Sequence, residues 1–201
     1  MLRVGLTGSI AVGKSFVTGI FRELGCRTLD ADETAREVVR PGTAGLRAIV
    51  AAFGDEILRE DGTLDRARLG AIVFANENER QRLNSLLHPF IIAEQDALMR
   101  RWEAEDPNGI GIIDASLMIE SGGYRRFDKI VVVHCRPEIQ LKRLMARNNL
   151  EREEAERRIA AQMPQEEKMR YADFLIDTSE GFEDTHKRTK EVYNALRAFG
   201  G

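Results

Sequence analysis

Short apolar runs alternate along the chain with stretches in which apolar residues recur at helical spacing. Five short segments, most of them rich in apolar residues, are predicted to form strands: 2–6, 27–29, 110–113, 129–134 and 174–176. Several are apolar at successive positions, which is typical of strands covered on both faces. Strands that alternate with helices predict an α/β fold in which helices cover both faces of a parallel sheet.

The helical pattern is interrupted by turn signals that divide it into separate elements. Pro41-Gly42 breaks the helical stretch after residue 33, and Pro89 is expected to kink or restart the long helix that contains it. The stretch 33–109 is nearly all helical and too long for a simple crossover, so we interpret it as an inserted substrate region. The main predicted helices cover 14–24, 66–75, 77–105, 137–147, 152–161 and 182–199.

The loop between the first strand and the first helix carries a phosphate-binding motif. Residues 8–15 read Gly-Ser-Ile-Ala-Val-Gly-Lys-Ser and match G-x-x-x-x-G-K-[ST] in full. Gly8 and Gly13 lack side chains, so a phosphate group can approach the loop backbone closely. The N–H groups of the loop and the positive end of the helix dipole can then hold its oxygens. Lys14 would place its charge on the outer phosphates, and Ser15 would offer a hydroxyl to Mg²⁺. The alternative is an ordinary glycine-bearing turn, which the complete match disfavours.

Acidic residues follow the predicted strands at the edge where ligands bind in parallel sheets. Asp32 is the candidate that would orient an acceptor hydroxyl and take its proton. Asp114 ends the third strand, and this strand with its terminal aspartate resembles a second nucleotide-binding motif, which often holds magnesium through water. A helix cap is the alternative role for Asp32, and a structural hydrogen bond is the alternative for Asp30.

Basic residues cluster after the fourth strand. Arg143 and Arg147 lie four positions apart and therefore share a helix face. We expect Arg143 to act on the transferred phosphoryl group, within a mobile lid that closes over the nucleotide. For residues 151–158 the favoured interpretation is a solvated helix face with Glu–Arg pairs.

Composition excludes several classes of function. The 201 residues are 43% hydrophobic and 31% charged, which is typical of one globular domain. A net charge of -3 disfavours a nucleic-acid binder that works by charge alone. The chain has neither an apolar run that could span a membrane nor the layout of a signal peptide, and two cysteines make no disulfide framework. We therefore expect a cytoplasmic protein, and the absence of G-x-G-x-x-G disfavours a hydride-transfer enzyme.

Over about 1–197, the chain resembles the dephospho-coenzyme A kinase family. The resemblance rests on 6–15, Asp30-Ala31-Asp32, Leu83-Asn84-Ser85-Leu86-Leu87-His88-Pro89, 140–147 and 160–173. It implies one P-loop NTPase domain over 1–201: a three-layer fold with a five-stranded parallel sheet, a helical acceptor-binding insertion at 33–109 and a helical lid at about 142–172. It also implies transfer of phosphate from ATP, with Mg²⁺, to the ribose 3′-hydroxyl of dephospho-coenzyme A. That reaction gives coenzyme A and ADP in the last step of coenzyme A biosynthesis.

The resemblance further implies roles for individual residues. Asp32 would be the general base, with Lys14 and Arg143 as catalytic cations. The acceptor would contact Asp32, His88, Asp114 and Glu120. ATP would contact Gly8, Ala11, Val12, Gly13, Lys14, Ser15, Phe16, Arg143, Arg147, Asp177 and Thr178. Neither nucleic acid nor membrane would be a partner, and the chain would be a monomer or a small homo-oligomer.

Two segments depart from the family pattern. Ser9, Ala11 and Val12 stand where the family usually has two glycines and a serine. We expect Ala11 and Val12 to donate their N–H groups with helix-like backbone angles. Ser116 stands where the family usually has proline. Two other functions stay open at this point: a kinase of a nucleoside monophosphate or another small metabolite, and a nucleotide-dependent switch, which the absence of Asn-Lys-x-Asp disfavours.

Overall fold

The computed structural model describes residues 1–199, apart from the side chain at position 75, and divides the chain into two compact units. The sheet unit contains Met1–Leu29 and the chain from Arg101 onward. The helical unit is Asp30–Arg100. Among the described residues, no helix combines the length and the apolar character that a membrane span requires.

The sheet has five strands in the order β2-β3-β1-β4-β5. The pairs β1–β3, β1–β4 and β4–β5 are parallel, and the predicted α/β class is confirmed. The strands are β1 (Leu2–Thr7), β2 (Arg27–Asp30), β3 (Ile110–Asp114), β4 (Lys129–His134) and β5 (Phe174–Asp177). The helices are α1 (Lys14–Glu23), α2 (Ala31–Glu37), α3 (Ala44–Phe53), α4 (Arg66–Ala75), α5 (Glu77–Glu105), α6 (Pro137–Asn148), α7 (Arg152–Ala160), α8 (Gln165–Met169) and α9 (Phe182–Arg197).

The central strands are buried on both faces, as their apolar runs predict. One face packs with α1 and α9 through a cluster that includes Leu6, Phe21 and Leu196. The other face contributes Ile130 and Val132 to a second cluster. Burying a side chain such as Phe21 stabilises the fold by about 2–3 kcal/mol. This packing holds the carboxyl ends of β1, β3 and β4 at one edge, where the phosphate loop begins.

The helical unit has its own core, which contains the fully buried Ile49 and Ile57. The break at Pro41-Gly42 lies between α2 and α3, as expected. The expected restart at Pro89 is wrong, because Pro89 lies inside the single helix α5. Leu86 and Phe90, on either side of it, pack against the same core, which offsets the hydrogen bond that a proline removes.

Candidate active site

The phosphate loop connects β1 to α1, and its glycines meet steric demands that other residues would not. A Cβ at Gly8 would lie 2.4 Å from the carbonyl oxygen of Val133. Gly13 precedes α1 with a φ of 91°, in the left-handed region that favours glycine. Its carbonyl oxygen accepts from the N–H groups of Phe16 and Val17 at 3.1 and 3.3 Å. The loop therefore leads directly into the first turn of α1, where unpaired N–H groups suit an anion.

Ala11 does not have the expected helix-like backbone. Its φ is 61°, which places a non-glycine residue in the left-handed region. That conformation costs an alanine roughly 1–2 kcal/mol, because its Cβ crowds the following carbonyl oxygen. The surrounding loop contacts must therefore hold Ala11 in this conformation.

Lys14 and Asp114 form an ion pair at the end of β3. Asp114 is 6% exposed, and its second carboxylate oxygen lies 2.8 Å from the Thr18 hydroxyl. The Lys14 ammonium supplies the opposite charge to a carboxylate that is buried and otherwise bonded only to a neutral hydroxyl. The structure thus brings together two of the predicted site residues, and Asp114 fixes the position of the Lys14 ammonium group.

Arg143 reaches the phosphate loop through Thr178. Its Nη1 donates to the Thr178 hydroxyl and its Nη2 to the Thr178 carbonyl, both at 2.8 Å. The Thr178 hydroxyl lies 2.7 Å from the carbonyl oxygen of Val12. Two more predicted ATP-binding residues therefore lie beside the loop, and Arg143 keeps further N–H donors for a ligand.

Two glutamines that the sequence analysis did not select hold the peptide groups at Ile10, and a third glutamine supports one of them. The Gln162 side-chain oxygen accepts from the Ile10 N–H, and the Gln140 amide donates to the Ile10 carbonyl, each at 2.8 Å. Gln165 donates to the Gln140 oxygen at 2.8 Å and accepts from the Cys135 N–H at 3.1 Å. We call Gln140, Gln162 and Gln165 the glutamine clamp. Its only sequence signal is that these residues fall in the segments that carry the family resemblance.

The turn after β5 is ordered by Asp177, another predicted ATP-binding residue. One of its oxygens accepts from the N–H and the hydroxyl of Ser179, at 2.9 and 2.6 Å. Partial burial opposes ionisation, but these bonds and His134 hold the pKa of Asp177 below its usual value. Burial lowers the pKa of His134, although Asp177 acts in the opposite direction.

Lys168, which the sequence analysis did not select, is a buried cation of the sheet unit. Its side chain is fully buried, and its Nζ lies 2.7 Å from the Ser116 carbonyl and 2.8 Å from Glu120 Oε1. The predicted acceptor residue Glu120 is therefore the partner of a buried lysine. Ser116 contributes a backbone carbonyl, a group that proline would also have, so the departure from proline leaves this contact intact.

Within the helical unit, Asp30 caps α2 and leaves Asp32 uncommitted to that role. Asp30 Oδ1 accepts from the Asp32 N–H at 2.8 Å. The Asp32 side chain is exposed in the first turn of α2, so the alternative role as helix cap belongs to Asp30. The side chain of His88 is exposed on α5.

The remaining predicted cations lie on solvent-facing helices. Arg147 donates to the side chain of its neighbour Asn148 at 2.9 Å. On α7, Glu154 pairs with Arg157 and with Arg158, and Arg152 pairs with Glu156. The predicted solvated face of Glu–Arg pairs is confirmed. Arg147 forms no ion pair with a carboxylate among the residues described, so its other N–H groups remain available as donors.

Comparisons with known proteins agree with this geometry. A family model described as "Dephospho-CoA kinase" matches residues 2–184. The dephospho-CoA kinase of Geobacillus kaustophilus is 48% identical over 93% of this chain and 92% of its own length. The solved dephospho-CoA kinase of Campylobacter jejuni is 30% identical, with a TM-score of 0.75 over 99% of this chain and 98% of that one. A Thermus thermophilus structure has a TM-score of 0.81 at 28% identity, with 96% of each chain covered.

Proposed function

Because the chain belongs to the dephospho-CoA kinase family, which phosphorylates dephospho-CoA with ATP in coenzyme A biosynthesis, we propose the following roles for its residues. The main support for these roles is the phosphate loop, where Asp114 forms an ion pair with Lys14, the first residue of α1. An ammonium group has three donors, so Lys14 can keep Asp114 and still bind the β- and γ-phosphates of ATP. The N–H groups of 11–16 lie along the same phosphates.

Arg143 stabilises the charge that develops on the transferred phosphoryl group. Its two bonds to Thr178 fix the planar guanidinium, and the remaining N–H groups bind phosphate oxygens. Arg147, one helical turn further along α6, supplies a second cation to the same nucleotide. The adenine end of ATP lies beside Asp177 and Thr178.

Asp32 acts as the general base for the acceptor. Its carboxylate takes the proton of the ribose 3′-hydroxyl, and the hydroxyl oxygen forms a bond to the γ-phosphorus. The bond from that phosphorus to the bridging oxygen of the β-phosphate breaks, and ADP leaves. The exposed carboxylate of Asp32 supports this role, because Asp30 already provides the helix cap. His88, Asp114 and Glu120 shape the surroundings of the acceptor.

The Ser15 hydroxyl, in the first turn of α1, would hold the Mg²⁺ ion that accompanies the nucleotide. The described residues contain no group of three or more His, Cys, Asp or Glu side chains that could hold a metal. The donor set therefore fits a magnesium ion bound largely by phosphates and water, the arrangement that this ion favours. When bound, it neutralises charge on the transferring phosphates.

The cytoplasm is the compartment that best fits the cysteines. Cys26 and Cys135 are both free and buried. Burial raises the pKa of the Cys26 thiol to about 12, so the reactive thiolate is suppressed. Free thiols are typical of proteins from reducing compartments.

A coupled assay with a panel of acceptors tests this function. We expect ADP release with dephospho-CoA, and phosphorus NMR of the product should show a new phosphate ester at the 3′ position. Much faster phosphorylation of AMP would instead indicate a nucleoside monophosphate kinase. ATP hydrolysis without transfer to any acceptor would indicate a nucleotide-dependent switch.

A further inference from the structure

We propose that a cleft in the helical unit, lined by four arginines, binds the pyrophosphate group of the acceptor. The cleft has a volume of about 580 Å³ and lies between α2, the segment that follows it, and the turn before α4. We call it the arginine cleft, after Arg36, Arg40, Arg59 and Arg66. Its role as part of an acceptor site rests on the proposed function of Asp32.

The carboxylates in the arginine cleft are largely engaged, whereas most of its arginines are not. Glu37 pairs with Arg40 at 2.8 Å. The hydroxyl and N–H of Thr63 bind Asp61 and hold the pKa of that carboxyl below its usual value. The only other carboxylate that lines the cleft is Glu33.

Three arginines therefore remain for a ligand. Arg36, Arg59 and Arg66 have no carboxylate within ion-pair distance among the residues that the structure describes. Hydrogen bonds from Thr63 and from the Arg68 N–H are the main causes of the lowered pKa of Asp61 and Asp65, and the charge of Arg59 adds a smaller contribution. Four arginines against three carboxylates leave a net positive charge, which suits an anion of modest charge such as a pyrophosphate diester.

The backbone holds Arg59 and Arg66 in place. The Arg59 N–H donates to the Thr63 carbonyl at 2.8 Å, and the Gly62 N–H donates to the Arg59 carbonyl at 3.0 Å. Asp65 caps α4 by accepting from two N–H groups at 3.0 and 3.1 Å, so Arg66 is the first residue of that helix. Each planar guanidinium can bind two phosphate oxygens at once, and a fixed backbone reduces the entropy lost on binding.

The position of Asp32 relates the arginine cleft to the reacting hydroxyl. Asp32 and Arg36 are four residues apart on α2, so they are neighbours on one helix face, about 5–6 Å apart at Cβ. In dephospho-CoA, the 3′-hydroxyl and the 5′-pyrophosphate belong to the same ribose and are a few bonds apart. An acceptor whose hydroxyl lies at Asp32 can therefore place its pyrophosphate at the cleft.

The test uses Arg59→Gln, Arg66→Gln and the double variant in the full-length enzyme, because neither residue lies on the helix that carries Asp32. The matched control is Arg80→Gln, an exposed arginine of the same unit that pairs with Glu77 outside the cleft. Each variant is assayed with dephospho-CoA and with adenosine, which keeps the 3′-hydroxyl and lacks the pyrophosphate. We expect the KM for dephospho-CoA to rise about tenfold per arginine, as for a lost charge-assisted hydrogen bond.

The KM for ATP and the kcat/KM for adenosine should stay within about twofold of wild type, and Arg80→Gln should behave as wild type. An unchanged KM for dephospho-CoA in the double variant would overturn the proposal, as would an equal loss with adenosine. The wild-type rate with dephospho-CoA is measured first. If the wild-type enzyme does not phosphorylate dephospho-CoA, the proposed function fails, whatever the variants do. A wild-type enzyme that phosphorylates dephospho-CoA while the double variant keeps its KM rejects the cleft alone.

Discussion

The Gln162 side-chain oxygen accepts a hydrogen bond from the backbone N–H of Ile10 at 2.8 Å, across 152 positions of sequence. Gln140 holds the carbonyl of the same residue, and the next residue, Ala11, has a φ of 61°. The glutamine clamp therefore fixes the peptide groups that precede the strained alanine. We infer that it stabilises the phosphate-binding conformation of a loop in which the family usually has a more permissive glycine.

Removing the Gln162 acceptor should weaken ATP binding. Gln162→Met keeps a similar length and leaves the Ile10 N–H without its partner, at a cost of about 1–3 kcal/mol. We expect the Kd for ATP, measured by calorimetry, to rise roughly tenfold. In an Ala11→Gly background the same substitution should cost less, because glycine adopts the left-handed conformation without strain. Equal losses in both backgrounds would show that the clamp does not serve Ala11.

Asp32→Asn should abolish most turnover and leave ATP binding intact. The amide cannot take the hydroxyl proton, and loss of a general base typically costs about 10²- to 10⁴-fold in rate. Asp30→Asn is the matched control, because asparagine caps a helix about as well as aspartate. Single-turnover rates and the Kd for ATP separate the two effects. A normal rate for Asp32→Asn would refute its assignment as the base.

Lys168→Met should destabilise the fold. The substitution leaves the Glu120 carboxylate and the Ser116 carbonyl without their buried partner, which we expect to lower the free energy of unfolding by about 3 kcal/mol. Urea unfolding measures this loss. Lys187→Met, at an exposed position on α9, is the control and should change stability by less than about 0.5 kcal/mol. Adding Glu120→Gln to Lys168→Met should recover part of the loss; no recovery would exclude the ion pair as its cause.

Stability should fall as the pH decreases from 7 toward 5, in part because of His134. Burial lowers the pKa of His134 in the folded protein, so the unfolded chain binds the proton first once the pH falls through the ordinary histidine value. The lowered pKa of Asp177 acts only in a more acidic range. His134→Gln should therefore reduce the slope of unfolding free energy against pH between 7 and 5. The same slope in wild type and variant would contradict this account.

The sequence predicts the regular elements well because their periodicity reflects burial on the sheet. The strands through Leu6 and Val131 and the helix through Phe21 all follow from local apolar spacing. The phosphate loop is equally local, since glycine, lysine and serine act at fixed spacing within eight positions. The rule that parallel strands end at one edge predicts that Asp114 lies near the loop, but its ion pair with Lys14 is seen only in the structure.

Contacts between side chains that are far apart in the sequence cannot be predicted from local patterns. The glutamine clamp joins Ile10 to Gln140 and Gln162, and an amide side chain carries no periodic signal of its partner. Lys168 resembles a surface lysine in its charged segment, and only the fold reveals Glu120 as its partner. The continuity of α5 through Pro89 likewise depends on tertiary packing that overrides local propensity.

A crystal structure with a nonhydrolysable ATP analogue and dephospho-CoA bound together would show whether the phosphate loop and Asp32 act on the same phosphoryl transfer. We expect the γ-phosphate to lie within the loop 8–15, bound by Lys14, and the ribose 3′-hydroxyl to lie within about 3 Å of the Asp32 carboxylate. A triphosphate bound outside this loop, or a 3′-hydroxyl that faces a group other than Asp32, would contradict it.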